Sequence, residues 1–427
     1  MQLTSISVFK PEADNRAWLS IPHPTLPLIA TAASDKKARV YSLQNFRLHS
    51  TLEGGHKRSI RSLAWKPNIR NGDLSIVTGS FDATAGVWRR AKQEAEERYT
   101  ETDFTSNGMG DDDNVDEEEV HDWEFNLVLE GHDSEIKSVT FSPSGQFLAT
   151  CSRDKTVWIW EEIGSDGEDE WETVAVLQDH DGDVKSLCWT EMDGEERLAS
   201  CSFDETIRLF KDDGEDWTCV AVLKGHTGTV LYIDWENVDR ISKTTQDGIE
   251  RRPGDIEEST SSNPKPTPRL VSCSADQTIK IWSRESPPPP ASQNPPGERI
   301  PSTFRPASSA ETWTCTATLP EVHTRAIYSV SWSKKSGRIV STGSDSQVIV
   351  YEERQKDPET TEWVVIATLE MAHDSYEVNH ATWCPRFDGG RKGEEEMIVT
   401  TGDDGEVRAW ALEEDSVMTN GDETAAS

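Results

Sequence analysis

The sequence predicts an all-β fold, a closed ring of seven four-stranded sheets. Three observations predict it. Seven segments share one ending, an Asp in a turn followed by an alternating run that closes on an aromatic. A His stands upstream of six of these endings. In five places a Trp and a Leu six residues apart precede that His. Alternation of period two after a polar turn reads as a strand with one buried face. Self-similarity at a fixed period marks a repeat architecture.

The endings are S-D-K-K-A-R-V-Y (34–41), F-D-A-T-A-G-V-W (81–88), R-D-K-T-V-W-I-W (153–160), F-D-E-T-I-R-L-F (203–210), A-D-Q-T-I-K-I-W (275–282), S-D-S-Q-V-I-V-Y (344–351) and D-D-G-E-V-R-A-W (403–410). The repeats thus end near 41, 88, 160, 210, 282, 351 and 410 within a single domain over 1–413. The His residues are His56, His132, His180, His226, His323 and His373, and in the first repeat His23 stands near the place. The Trp–Leu pairs are Trp123/Leu129, Trp171/Leu177, Trp217/Leu223, Trp313/Leu319 and Trp363/Leu369. Each repeat then holds four short strands, a to d. One such sheet cannot bury both faces, but seven packed radially can, and closure leaves only short, protected edges. The last repeat, with strands near 377–383, 397–401 and 406–411, lacks a fourth strand. Leu3–Phe9 alternates and is expected to supply it, closing the ring.

Three stretches break the period. Residues 89–123 carry D-D-D-N-V-D-E-E-E, 239–267 are rich in Ser, Thr, Pro and charge, and 283–311 contain P-P-P-P and N-P-P-G. Polarity, Pro and like-charge runs predict disordered inserts, and the acidic tail 414–427 is read the same way. Without them about 45 residues remain per repeat, close to the period of a four-stranded propeller blade. The first and third inserts join strands c and d, the second strands a and b. All three are expected at one end of the ring, leaving the other clear.

Composition narrows the function. The 427 residues carry 43 Lys and Arg against 78 Asp and Glu, a net charge of −35. That balance argues against a general nucleic-acid coat, because phosphate binding runs on Lys and Arg. No stretch approaches the roughly 20 apolar residues of a membrane helix, and the first residues show no signal-peptide apolar block, so no membrane or secretory role is expected. Seven Cys, with no C-x-x-C, recur at matched points of the repeat: Cys151, Cys201 and Cys273 each precede a Ser, and Cys219 and Cys315 follow W-T. They read as small buried hydrophobes, and no metal site or cofactor is expected. Reduced thiols suit the cytosol or nucleus. No nucleophile elbow, Walker A loop or dinucleotide fingerprint occurs, and no enzyme is expected.

The repeat resembles the WD40 β-propeller family. That resemblance implies a buried hydrogen-bond network in each blade, joining the His, a strand Ser or Thr, the turn Asp and the strand-c Trp. Here the pairs would be His56–Asp82, His132–Asp154, His180–Asp204, His226–Asp276, His323–Asp345 and His373–Asp404. Such a network has to be fully satisfied, so it is a device of the fold and not of catalysis. Propellers bind through the top face, where the residue before the turn Asp and the two flanking the first buried aliphatic of strand a point. The second of that strand-a pair reads Trp18, Arg61, Lys137, Lys185, Leu231, Tyr328 and Asn379, three cations and no anion. Phe81, Arg153 and Phe203 precede turn Asp residues of successive blades. A cationic, aromatic patch on so acidic a chain would attract an acidic or carboxylate-bearing peptide.

H-K-R-S-I-R-S-L-A-W-K-P (56–67), A-T-C-S-R-D-K-T-V-W-I-W-E (149–161), W-T-C-V-A-V-L-K-G-H-T-G-T-V (217–230) and L-P-E-V-H-T-R-A-I-Y-S-V-S-W (319–332) go beyond that consensus. They resemble the cytosolic iron–sulfur protein assembly propellers. The resemblance implies a non-enzymatic adaptor of the cytosolic machinery, docking apo-clients for [4Fe-4S] insertion. Its implied partners are a small acidic assembly protein, a HEAT-repeat scaffold, an iron-only-hydrogenase-like cluster carrier, and clients bearing C-terminal aromatic tails. The family's important top-face Arg falls on Arg153. The cytoplasm is the implied location, with the nucleus as a second. The alternative is a generic scaffold, a ubiquitin-ligase receptor or chromatin adaptor, reading another acidic peptide.

Overall fold

A computed structural model describes residues 1–67, 73–90, 123–164, 170–237, 267–285, 311–357 and 360–414. The disorder expected for the three inserts and the tail lies almost wholly outside the described residues. The strands form seven four-stranded antiparallel sheets. Six are meanders in chain order. The seventh takes its outer strand from the other end of the chain: Gln2–Val8 pairs with Val407–Glu413, from Gln2 opposite Glu413 to Val8 opposite Arg408. The ring is therefore closed by hydrogen bonds between the termini.

The repeat and the blade are offset by one strand. Each repeat ends on strand c, and the Trp–Leu segment that follows is strand d of the same sheet; Trp158 stands opposite Val176 and Arg208 opposite Val222. The strands that bracket the inserts are as expected: Ala85–Arg90 and Glu124–Leu129, Val230–Trp235 and Leu270–Ser274, Ile279–Arg284 and Trp313–Thr318.

The apolar core is divided among the seven contacts between neighbouring blades. Leu19, Val40 and Leu52 of blade one pack on Ile60, Trp65 and Trp88 of blade two. The same arrangement recurs around the ring to Met397, Val399 and Val407 of blade seven against Ile29, Tyr41 and Phe46 of blade one. Each large side chain so buried contributes roughly 1.5–3 kcal/mol, and no blade can keep its contribution alone.

Cys151, Cys201 and Cys273 occupy one slot of this core, one per blade, on strand b. Blade two has Gly79 there, and a Cβ would lie 2.7 Å from Ile136 and Val139 side chains. Blades six and seven have Thr342 and Thr401, whose hydroxyls are buried without partners. Cys fits the slot without that cost. Burial pushes the thiol pKa of all three upward, away from the thiolate a metal would need. The reading of all seven Cys as buried needs correction: Cys188 and Cys219 are half-buried and Cys315, on an outer strand, is exposed.

Candidate functional site

Six blades carry the His network. In blade two the Trp88 indole donates to Thr78 Oγ1 (2.8 Å), Thr78 lies 2.7 Å from His56 Nε2, and His56 Nδ1 faces Asp82 at 3.2 Å. Blades three, five and seven repeat it through Trp160–Thr150–His132–Asp154, Trp282–Ser272–His226–Asp276 and Trp410–Thr400–His373–Asp404. Blades four and six keep His180–Ser200, His180–Asp204, His323–Ser341 and His323–Asp345, with Phe210 and Tyr351 in place of Trp. One proton arrangement satisfies every atom: indole to hydroxyl, hydroxyl to Nε2, and Nδ1–H to carboxylate. Burial alone would raise Asp154. Hydrogen bonds from His132 and Thr156 outweigh it and hold the carboxyl at about 2. The other five Asp are lowered on the same balance.

Blade one differs. His23 is not in a network; it lies at the opposite end of strand a, edge-on to Trp65. Its place is filled from strand c, where Arg39 Nη2 bonds Asp35 at 2.6 Å and the Tyr41 hydroxyl donates to Pro11 O. The loop that would carry a His is instead the crossing after the closing strand, and it presses on the neighbouring turn. A Cβ on Gly405, whose φ is +80°, would lie 2.2 Å from Asn15 O.

These networks build the upper face. In every blade the residue before the turn Asp donates its N–H to the carbonyl just ahead of strand a: Ser34 to Arg16, Phe81 to Ser59, Arg153 to Glu135, Phe203 to Asp183, Ala275 to Thr229, Ser344 to Ala326 and Asp403 to Glu377. Two residues on from each acceptor, strand a slips register against strand b. The skipped residues are Trp18, Arg61, Lys137, Lys185, Leu231, Tyr328 and Asn379. A seven-fold β-bulge thus re-aims one side chain per blade, as bulges do beside functional sites.

One sector of the face is cationic and aromatic. Arg61 stands 5.2 Å from the Trp18 ring centroid, Lys137 4.4 Å and Arg58 5.9 Å from Phe81, and Lys185 5.8 Å from Phe203. Trp18 and Phe81 are tilted neighbours, 6.1 Å apart, and the Trp18 indole donates to Ser59. The Arg153 side chain is 59% exposed and, among the described residues, reaches only Glu135, at 3.6 Å. Phe203 is 60% exposed. Glu135 also holds Lys137 (2.9 Å) and meets Arg58 (3.4 Å); its hydrogen bond from Lys137 keeps its pKa below the ordinary carboxylate range, against burial. Asp183 holds Lys185 at 3.1 Å. A half-exposed ion pair at 3.6 Å is worth under about 1 kcal/mol, so the Arg153 guanidinium can turn to a ligand at little cost. In blades six and seven the bulge residues are uncharged and meet carboxylates, while Arg16, 5.5 Å from the Trp18 ring centroid, adds a cation at the blade-one edge of the sector. Tyr328 bonds Glu377, Asn379 bonds Asp403 and Ala17 O, and Arg16 meets Asp403 at 3.0 Å.

The WD40 model (WD domain, G-beta repeat) matches residues 46–89, 123–161, 171–211, 259–283 and 313–352. A protein of Sclerotinia sclerotiorum named probable cytosolic iron-sulfur protein assembly protein 1 is 54% identical over 97% of each chain. The protein of that name in Botryotinia fuckeliana is also 54% identical, over 97% of this chain and 98% of its own. Its counterpart in Pyricularia oryzae is 46% identical over 97% of each. The chain belongs to the cytosolic iron-sulfur protein assembly protein 1 family.

In this family member the sequence reading brings Arg153, Arg61, Lys137, Lys185, Phe81, Phe203 and Trp18 into one sector, spanning blades one to four. It leaves Tyr328 apart, in blade six. It misses Arg58, whose side chain is more than half exposed and bonds Phe81 O, and the carboxylates that hold both lysines. A signal for the carboxylates was present: Glu135 and Asp183 stand two residues before Lys137 and Lys185, on the same face of a strand. It also misses His380 and Tyr232, which stand where four other blades have Ser, directly after the bulge residue. Among the described residues no group of three or more His, Cys, Asp or Glu could hold a metal ion.

Proposed function

We propose that this chain is a non-catalytic scaffold of cytosolic iron–sulfur protein assembly, acting in the cytoplasm and docking apo-proteins and assembly partners for [4Fe-4S] insertion. The carrying observation is the 54% identity, along 97% of both chains, to a protein of that assembly name. The cluster is cargo here and needs no resident ligands. The partners we propose are a small acidic assembly protein, a HEAT-repeat scaffold, an iron-only-hydrogenase-like cluster carrier and iron–sulfur apoproteins.

The client site we propose is the cationic sector. Arg153 and Arg58 are exposed, weakly paired guanidiniums able to fork onto a carboxylate. Phe203 and Phe81 flank Arg153 in sequence-matched turns and offer rings to an aromatic side chain. The chain's excess of negative charge elsewhere discourages acidic segments from settling off-site. The reading is tested by affinity purification under anaerobic, reducing conditions. Assembly subunits and iron–sulfur apoproteins are expected to copurify, and client recovery is expected to fall with Arg153→Glu. Recovery of ubiquitin-ligase subunits or histones in their place would contradict it.

A further inference from the structure

Inside the ring, beneath the bulges, lies a cavity of about 430 Å³. Its upper lining includes Arg61, Lys137 and Lys185. The lysines are tied to Glu135 and Asp183. Arg61 is not tied to anything: among the described residues it makes no ion pair and no side-chain hydrogen bond, only its contact with the Trp18 ring. Among the described residues the one carboxylate lining the cavity, Asp234, stands near the far end of strand a, held by the Trp332 N–H (2.7 Å) and Lys334 (3.1 Å).

The layer just below the bulges is small in four blades, where Ser62, Ser138, Ser186 and Ser329 occupy it, and large in the other three, which have Leu19, Tyr232 and His380. Tyr232 and His380, from blades five and seven, meet over Ser329, with the Tyr hydroxyl 3.1 Å from His380 Nε2. Burial, then the nearby Arg61 charge, lower the His380 pKa to about 3, so the ring is neutral and carries one proton. With the tyrosine donating to Nε2, that proton sits on Nδ1. His380 is 2% exposed and Nδ1 has no partner; Ser186, also 2% exposed, has an unpartnered Oγ. Both residues line the cavity. Arg61, without a counter-ion among the described residues, and His380 and Ser186, each with an unpartnered polar atom, all line this one cavity, which can hold several atoms. Unsatisfied buried polar groups that line a cavity are completed by water, an ion or a ligand there.

We propose that the upper channel is a binding site for a small free oxyanion of the phosphate class, with Arg61 as its principal ligand and His380 Nδ1 and Ser186 Oγ as further contacts. Lys137 and Lys185 supply field and not direct bonds, since their ammonium groups are committed to the rim carboxylates. Arg presents paired donors that match a tetrahedral oxyanion. The site lies beneath the cationic sector and shares Arg61, Lys137 and Lys185 with it, but not the exposed rim guanidiniums of Arg153 and Arg58.

The test titrates inorganic phosphate into the purified full chain in low-salt buffer, by calorimetry and by phosphorus NMR line width. One saturable site is expected. Arg61→Gln is expected to weaken it by at least about tenfold, whereas Arg153→Glu changes it by less than about threefold. Ser186→Asp, which places a carboxylate in the cavity, is expected to abolish it, with the melting curve of the variant read alongside to show that the chain is folded. That variant keeps the proposal testable should Arg61→Gln fail to melt cooperatively. Absence of saturable binding, or binding that survives both channel variants, overturns the proposal. So does binding lost equally with Arg153→Glu, which would assign the phosphate to the rim.

Discussion

Each blade presents two repeated positions within a few residues of one another, and they are used in opposite ways. The buried His and Asp are the same residues in six blades, bonded in the same order. The bulge on strand a is equally regular in geometry, yet its residue runs Trp, Arg, Lys, Lys, Leu, Tyr, Asn around the ring. Constant geometry with constant chemistry is what a repeated fold requires. Constant geometry with changing chemistry is what a binding face requires, because recognition needs a pattern that differs from blade to blade. Removing a member of the first set should cost stability and leave the pattern intact; removing a member of the second should do the reverse.

The frame breaks most completely at its closure. Deleting residues 1–9 removes the strand paired to Val407–Glu413 and the buried Phe9, and opens the ring. Cooperative thermal unfolding of the domain is expected to be lost or shifted down by tens of degrees, at a cost of several buried side chains and a strand of hydrogen bonds. An unchanged melting curve would refute closure by the first strand.

Acid attacks all six networks together. The network Asp residues have folded pKa values below their unfolded value, so the unfolded chain binds more protons at low pH. Their contribution is complete above about pH 4 and is lost as pH falls toward the folded values, about 2 for Asp154. Denaturant midpoints are expected to fall steeply between pH 4 and pH 2, and Asp154→Asn is expected to flatten part of that slope. A flat profile there would mean that these carboxyls are not held below the ordinary range.

A single network sharpens the comparison further. His132→Ala leaves the Thr150 hydroxyl and Asp154 each short of a buried partner, for a loss of about 1–3 kcal/mol. Upper-face binding is expected to stay within about threefold, because Arg153 keeps its backbone bond to Glu135 O. The smallest effect on stability comes from the rim: Arg153→Ala is expected to change it by less than about 0.5 kcal/mol, as its one ion pair is loose. A large loss would move Arg153 into the frame.

Much of this was legible before any coordinates. Turn Asp, alternating run and closing aromatic recur because every blade solves the same burial problem, and the missing seventh strand d pointed to Leu3–Phe9. The bulge was not legible, since a slip of one residue leaves no mark on alternation read along one strand. Nor was the Tyr232–His380 pair, which joins non-adjacent blades and depends on Ser329 being small. His23 misled by position: it lies in the right stretch of chain but beyond strand a, at the other end of the blade. Its replacement is visible in S-D-K-K-A-R, where Arg39 follows Asp35 by four, although nothing in the spacing alone says that the two bond.

The central claim is that the changing set reads a carboxylate-bearing client tail. The direct measurement is fluorescence anisotropy of a labelled peptide ending in Asp-Trp with a free carboxylate, run with wild type and Arg153→Glu and repeated with the C-terminus amidated. The account predicts saturable binding by wild type, lost both on charge reversal and on amidation. Binding indifferent to Arg153 and to the carboxylate, or no binding, would contradict it.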